Sequence, residues 1–428
     1  MAYAYDVVHD TSDPNKVLSE IHRVLKAEKL MADNRRETTL PDNRKHTGSS
    51  HHTQRMIISV TVLVQNKGRL SLSTMEAPAF EIYMNDVIGN GFLALSVCVG
   101  KEMGLYDEMC SLESPATVQQ IADKTNLKER YVKEWLGSMV AGKIVEVDQD
   151  SRLYHIPDQY KDYLKNPMIT MAPIMTLLAN QYRKLKSCFT RQGPNGYDFR
   201  GYPEYYSWLE SIREVMADDI VDKDMIPHYG DLIDKLTEGA IVADIGCGTG
   251  NICIAFAKRF PKTTFLGLDY GGEAIAKGRA LVSKEKITNV EFEQVDATDM
   301  PQSWGNRFDM AYAYDVVHDT SDPNKVLSEI HRILKADGIF SLVEIDMQSP
   351  HYENKGDPMA VMNYTFSMYS CLPNSLAVPP SAGLGACWGV DKIRPCLVQT
   401  GFKIVKEEQQ TVEPNRHFIC KKIVGGMA

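Results

Sequence analysis

Apolar positions become regular near residue 78. From Phe80 to Val97 they recur at helical spacing over much of the circumference (Ile82, Val87, Ile88, Phe92, Leu93), which predicts a long helix reaching Gly104. A short helix then opens at Ser114-Pro115-Ala116-Thr117 and runs through Ala122. After a turn at Thr125-Asn126, a further helix spans Lys128 to Ala141, with Val132, Trp135, Leu136 and Met139 on its inner face. The following KIVEVDQDSRLYHI reads as two strands around the turn Asp148 to Ser151.

Helix, turn, helix and a two-stranded wing make residues 76–165 a winged-helix domain. Such domains bind DNA or make protein contacts. Lys128, Arg130 and Lys133 are offset by Glu129 and Glu134, and the wing tip carries Asp148 and Asp150, so the charges favour packing or dimerisation over a phosphate-gripping surface. Residues 166–236 read as a helical linker rich in aromatics, among them Tyr182, Tyr197, Phe199, Tyr202, Tyr205, Tyr206 and Trp208. Most of these fit an interdomain core, with a pocket wall as the other reading.

Past Gly239, strands alternate with helices, the pattern of a parallel sheet covered on both faces. The first strand, Ile241 to Ile245, runs into Asp244-Ile245-Gly246-Cys247-Gly248-Thr249-Gly250 and a helix to Phe260; glycines at such a turn admit a ligand close to the backbone. The spacing is GxGxG, so the dinucleotide fingerprint is not met. A second strand, Thr264 to Leu268, ends at Asp269, where a carboxylate can accept from two adjacent ribose hydroxyls. The third, Val290 to Val295, ends at Asp296-Ala297, suited to an adenine amino edge. The fourth is predicted over Phe308 to Val317, followed by His318-Asp319 and a helix from Pro323 to Lys335. Ile339 to Ile345 forms the fifth and carries Glu344, and Gly401 to Glu407 with Arg416 to Ile423 forms a closing hairpin. Residues 346–388, with Met359, Met362, Tyr364, Phe366, Met368 and Tyr369, read as a lid or acceptor pocket.

Charge and repetition change the domain count. The 428 residues suggest two or three domains, and the net charge of -9 argues against a nucleic-acid or anionic-membrane binder. Residues 1–27 repeat residues 310–336 except for Val24 against Ile333, and a polar segment follows; residues 1–75 hold 11 Lys and Arg against 8 Asp and Glu, or +3, leaving -12 for the remainder. This stretch is expected to be a poorly ordered extension without a catalytic role. Nine cysteines without a CxxC fit free thiols and no metal site, and the longest apolar run, Ile57 to Val64, is short of a membrane span; a cytoplasmic protein is expected.

DIGCGTG, GLD, VDAT and YDVVHD, in this order and spacing, resemble motifs one to four of class I S-adenosylmethionine-dependent methyltransferases, and with the winged helix about 350 residues resemble the small-molecule O-methyltransferases. The resemblance implies a Rossmann-like α/β fold with a seven-stranded sheet of order 3-2-1-4-5-7-6, the last strand antiparallel. It also implies S-adenosylmethionine held by Asp244, Gly246, Gly248, Gly250, Asp269, Asp296 and Ala297. His318-Asp319 matches a His-Asp-Trp motif that supplies a general base, with Thr320 in place of Trp, and Glu344 matches the glutamate that orients it. A second supporting glutamate has no counterpart between Gly383 and Val390. The chemistry agrees, because a phenol of pKa near ~10 must lose its proton to attack a sulfonium methyl, and a histidine near ~6.5 can take it. A capping role at the strand end is the other reading of His318. A small, partly aromatic or apolar acceptor methylated at oxygen, and a homodimer joined through the winged helix, are the expected partners. A DNA-binding regulator that senses the cofactor, and a catalytically silent binder of it, are the alternatives.

Overall fold

The computed structural model describes residues 77–165, 167–198 and 203–423. The expectations for residues 1–75, and for Phe199 and Tyr202, lie outside these. The chain opens with α1, Ala77–Glu102, and α2, Leu105–Ser111. Helix α3, Val118–Thr125, starts four residues later than predicted, because Thr117 is its cap: the Thr117 side chain accepts from the Gln120 N–H while Gln120 accepts from the Thr117 N–H. Helix α4, Glu129–Ala141, and the wing strands β1, Glu146–Val147, and β2, Tyr154–His155, complete the winged helix around Tyr106, Ile121, Leu136 and Met139. The Asp148 carboxylate closes the wing by accepting from the Arg152 and Leu153 N–H groups at 2.7 and 3.2 Å.

Helix α1 departs from the expectation that apolar runs are short. Phe80, Ile82, Val87, Ile88 and Phe92 are exposed along it, and Cys98 and Gly100 are its buried residues. By length and composition this helix is long and apolar enough to cross a membrane.

Short helices α5, Asp158–Leu164, α6, Pro167–Met171, α7, Ile174–Asn180, and α8, Tyr182–Cys188, lead to α9, Pro203–Asp219. The segment is more than a linker: Ile212 and Met216 of α9, with Ile220, Val221 and Met225 of the π-turn that follows, are buried in the core of the next domain. After α10, Leu232–Glu238, the sheet domain follows in order: β3, Ile241–Ile245; α11, Asn251–Arg259; β4, Thr264–Asp269; α12, Gly272–Glu285; β5, Val290–Gln294; and β6, Phe308–Tyr314. It continues with α13, Pro323–Ile333; β7, Leu334–Ile345; α14, Pro358–Tyr369; α15, Cys371–Leu376; α16, Val390–Gln399; β8, Phe402–Gln409; and β9, Asn415–Lys422.

The sheet order is β5-β4-β3-β6-β7-β9-β8, with β9 antiparallel to both neighbours, as the resemblance implies. One core fills each face. Central strand β6 is buried at every position, hence its apolar, aromatic and small residues; its one acid, Asp309, is paired with Lys235 and Lys335. It ends at Tyr314, three residues before the predicted end, because Asp315 turns to φ 60° and Val317–Asp319 wind into a 3-10 turn. His318 therefore sits on a turn past the strand.

Candidate active site

The carboxyl ends of β3 to β7 open into a cavity of about 1310 Å³, larger than the ~300–1,000 Å³ usual for one small ligand. Its lining includes Asp244, Gly246, Gly248, Asp269, Asp296, Ala297, His318 and Asp319. Gly250 and Glu344 are not in that lining; each acts through a neighbour.

The three loop glycines all have positive φ, yet their surroundings differ. A Cβ on Gly248 would meet only Leu209, at 3.5 Å, so this is where a ligand can approach the backbone. On Gly246 it would strike Val316, and on Gly250 the ring of Phe292. Phe292 also occupies the space left by Gly267 and Gly278, so Gly250 serves packing beneath the loop.

Asp269 is buried, and its two oxygens accept from the Gly248 and Gly271 N–H groups at 2.9 and 2.7 Å. Those bonds fix the carboxylate and leave lone pairs on both oxygens for the hydroxyls of a ribose. Burial raises its pKa, with the two N–H donors opposing. Asp244 lies at the base of the loop, accepts from the Tyr312 hydroxyl at 2.8 Å, and is pushed up to about 7 by burial, with Tyr312 opposing. Asp296, at the exposed rim, accepts from the N–H and hydroxyl of Thr298, a turn that presents the Asp296-Ala297 backbone beside the lining residues Gln294 and Val295. Deep acids, an open glycine and a rim turn match the chemistry of an adenosyl group extended across strand tips.

His318 is buried on the far side. Its Nδ1 donates to Glu344 Oε2 at 2.5 Å, which leaves Nε2 facing Asp319 Oδ1 at 3.5 Å. Glu344 is itself fixed by the Val317 N–H at 3.0 Å and by Trp388 Nε1–H at 3.3 Å. Burial disfavours the imidazolium, but Glu344, Asp319 and Cys371 outweigh it, and His318 lies well above its ordinary pKa. Asp315 stands 3.9 Å from Nδ1. Two groups of ligand-type atoms, one from His318, Asp319 and Cys371 and the other from Asp315, His318 and Glu344, lie within 4.8 Å of one another; no sequence spacing had indicated such clusters.

Several contributors were not foreseen. Trp388 comes from the segment Gly383 to Val390 that lacks the second glutamate, and it supports Glu344 from 44 residues away. Arg213 pairs with Glu413 at 2.8 Å and lies over the Tyr314 ring. Cys371, at the start of α15, faces His318. None of these carries a local pattern; only the fold joins them. Of the predicted pocket residues, Met359, Met362 and Phe366 line the cavity, as do Tyr205, Tyr206 and Trp208, whereas Tyr364 bonds Asn354 and Tyr182 is exposed. All nine cysteines are unpaired.

Comparison with known proteins bears on the fold. Residues 236–403 match the family described as a methyltransferase domain, and residues 91–165 match an Rv2258c-like winged HTH domain. Among curated proteins, a trans-aconitate 2-methyltransferase of Deinococcus radiodurans is 30% identical over 153 residues, covering 36% of this chain and 52% of its own. An uncharacterized protein of Rickettsia prowazekii is 33% identical over 104 residues, 24% of this chain and 41% of its own, so the chain spans about half or less of these relatives. Among solved structures, a mitomycin 7-O-methyltransferase superposes with a TM-score of 0.60 at 16% identity, covering 81% of this chain and 98% of its own. Human N-acetylserotonin methyltransferase, solved with S-adenosylmethionine, gives 0.57 at 15%, covering 83% and 100%. Residues 236–403 are thus similar to a methyltransferase domain and residues 91–165 to a winged-helix domain, and the chain shares the fold of these solved methyltransferases.

Proposed function

We propose that the protein is an S-adenosylmethionine-dependent methyltransferase that moves a methyl group to an oxygen of a small-molecule acceptor, with His318 as the general base. The observation that carries this reading is the buried His318–Glu344 pair at the wall of the cavity that also holds the glycine loop and Asp269. When bound, the cofactor supplies a methyl group made electrophilic by a positive sulfur. Asp269 holds the ribose, Asp296-Ala297 the adenine edge, and Asp244 the methionine end through water. Glu344 keeps the proton on Nδ1, so the Nε2 lone pair would take the proton of the acceptor's oxygen as that oxygen receives the methyl group. Asp319 stands beside Nε2 and stabilises the imidazolium that results.

His318→Gln tests the assignment, since it keeps a donor toward Glu344 and removes the titrating nitrogen. Turnover should fall about a hundredfold to ten-thousandfold with cofactor affinity retained. Unchanged turnover would return His318 to a structural role, holding the turn after β6.

The exposed apolar face of α1 supports a homodimer joined through the winged helix. Charged substitution at Phe92 should yield a monomer by light scattering. Arg130 is paired with Glu134, and Asp148 and Asp150 occupy the wing tip, which speaks against the DNA-binding regulator. Salt-dependent binding to duplex DNA would reverse that conclusion.

A further inference from the structure

We propose that the acceptor half of this cavity selects a cation, an aromatic or apolar molecule bearing a protonated amine, and that Asp315 receives the amine. The inference rests on the methyltransferase reading and names its substrate class.

Charge is the first argument. Beyond the three acids assigned to the cofactor, the lining carries Asp198, Asp219, Asp315, Asp319 and Glu413, and among the described lining residues Arg213 is the one Lys or Arg. That guanidinium is already engaged: it bonds Glu413 at 2.8 Å and stands 3.8 Å from Asp315 Oδ2. Among the described lining residues a carboxylate or phosphate acceptor would meet several acids and no uncommitted lysine or arginine, whereas an ammonium would be drawn in.

Unmet hydrogen bonding is the second. Asp315 Oδ1 and Asp319 Oδ1 are buried and have no hydrogen-bond partner among the described residues. His318 stands 3.9 and 3.5 Å from them, beyond a good hydrogen bond, and Glu344 already takes its Nδ1 proton, while the Arg213 guanidinium approaches the other oxygen of Asp315 only to 3.8 Å. Buried carboxylate oxygens without donors are costly unless a ligand supplies them. Burial pushes Asp315 up to about 7, with His318 opposing; an adjacent ammonium would hold it ionised.

Position is the third. Asp315 is held at φ 60°, an uncommon conformation for a residue with a side chain, between the end of β6 and Val316, which touches the glycine loop. The strain places a carboxylate at the boundary between the two halves. Tyr205, Trp208 and Phe366 supply aromatic faces, with Trp208 6.0 Å from Phe366 and 5.8 Å from Tyr205 between ring centroids, suited to a ring or to the cation itself.

The test uses the full chain and three phenols of similar size: tyramine, a cation; 4-ethylphenol, neutral; and 4-hydroxyphenylacetate, an anion. Binding is measured by calorimetry with S-adenosylhomocysteine present, and methylation by mass spectrometry with S-adenosylmethionine. Tyramine should bind tenfold or more above the neutral phenol and the anion last, the range expected of a charge-assisted hydrogen bond. Asp315→Asn, chosen because asparagine tolerates left-handed backbone, should cut the tyramine advantage to threefold or less. Asp319→Asn is the second variant should the first not fold, and should also narrow it.

Equal loss for all three phenols in Asp315→Asn, anion binding first, or no binding of tyramine at millimolar concentration would overturn the proposal. So would a preference abolished by EDTA, which would give these oxygens to a metal. Failure to bind either cofactor form sinks the methyltransferase reading itself; cofactor binding with methylation of the neutral or anionic phenol alone sinks only the charge selection.

Discussion

The residues proposed to hold the cofactor all lie between 244 and 297, at the tips of three adjacent strands, and much of the work falls to backbone and to acids that backbone N–H groups pin in place. The acceptor half is assembled differently. Tyr205 and Arg213 come from α9, His318 from the turn after β6, Phe366 from α14 and Cys371 from α15, spread over more than 160 residues, and Glu344 and Trp388 stand behind them. A loop whose geometry is set by φ values repeats wherever its ligand does. A wall of side chains can change with each acceptor while the sheet beneath stays the same.

Substitutions should separate the halves, and the largest effect belongs to chemistry. His318→Gln should lower the rate constant by about two orders of magnitude or more without weakening the cofactor. Asp269→Ala should reverse that pattern, with cofactor affinity down about tenfold to a hundredfold by calorimetry and with acceptor selectivity intact. Should either variant damage both measurements equally, the two halves act as one unit.

Beneath the loop, Gly250→Ala should cost about 1–3 kcal/mol of stability in denaturant melts, through both its positive φ and the Phe292 ring. Within the acceptor half the pH profile gives a finer test. His318 is raised chiefly by Glu344, with Asp319 and Cys371 adding and burial opposing, and Asp315 stands at 3.9 Å. A base must be neutral to accept a proton, so turnover should rise with pH through a midpoint above the ordinary ~6.5 of histidine. Glu344→Gln should shift that limb to lower pH by about one unit or more. Trp388→Phe removes one hydrogen bond to the same carboxylate and should lower turnover only a few-fold, with no loss of cofactor affinity.

The sheet and its loop were legible because their signals are local. Alternation of strand and helix, glycines at a strand end and acids at the next two strand tips are read within a few residues each, and all of them line the cavity except Gly250, whose position answers to Phe292. His318 and Glu344 could be paired from the motifs alone, and they meet at 2.5 Å. Trp388 could not, since a tryptophan in a glycine-rich segment carries no mark of its partner. β6 ends before the sequence expectation, although Val316 and Val317 are β-branched and strand-like, because Asp315 adopts φ 60°. Strand propensity gave way there to the geometry of the turn. Helix α1 was read as apolar around much of its circumference, yet its exposure required the fold, because composition does not say which side is covered.

Phe292 ties together elements that lie far apart in the chain. Its ring fills the room left by Gly250 in the loop, Gly267 in β4 and Gly278 in α12. Four positions thus share a single volume, and natural variation among them must be correlated. A relative bearing alanine at any of the three glycines is expected to carry a smaller side chain in place of the phenylalanine. In an alignment, the most informative companion of the loop's last glycine would then be an aromatic residue two strands away that no ligand touches.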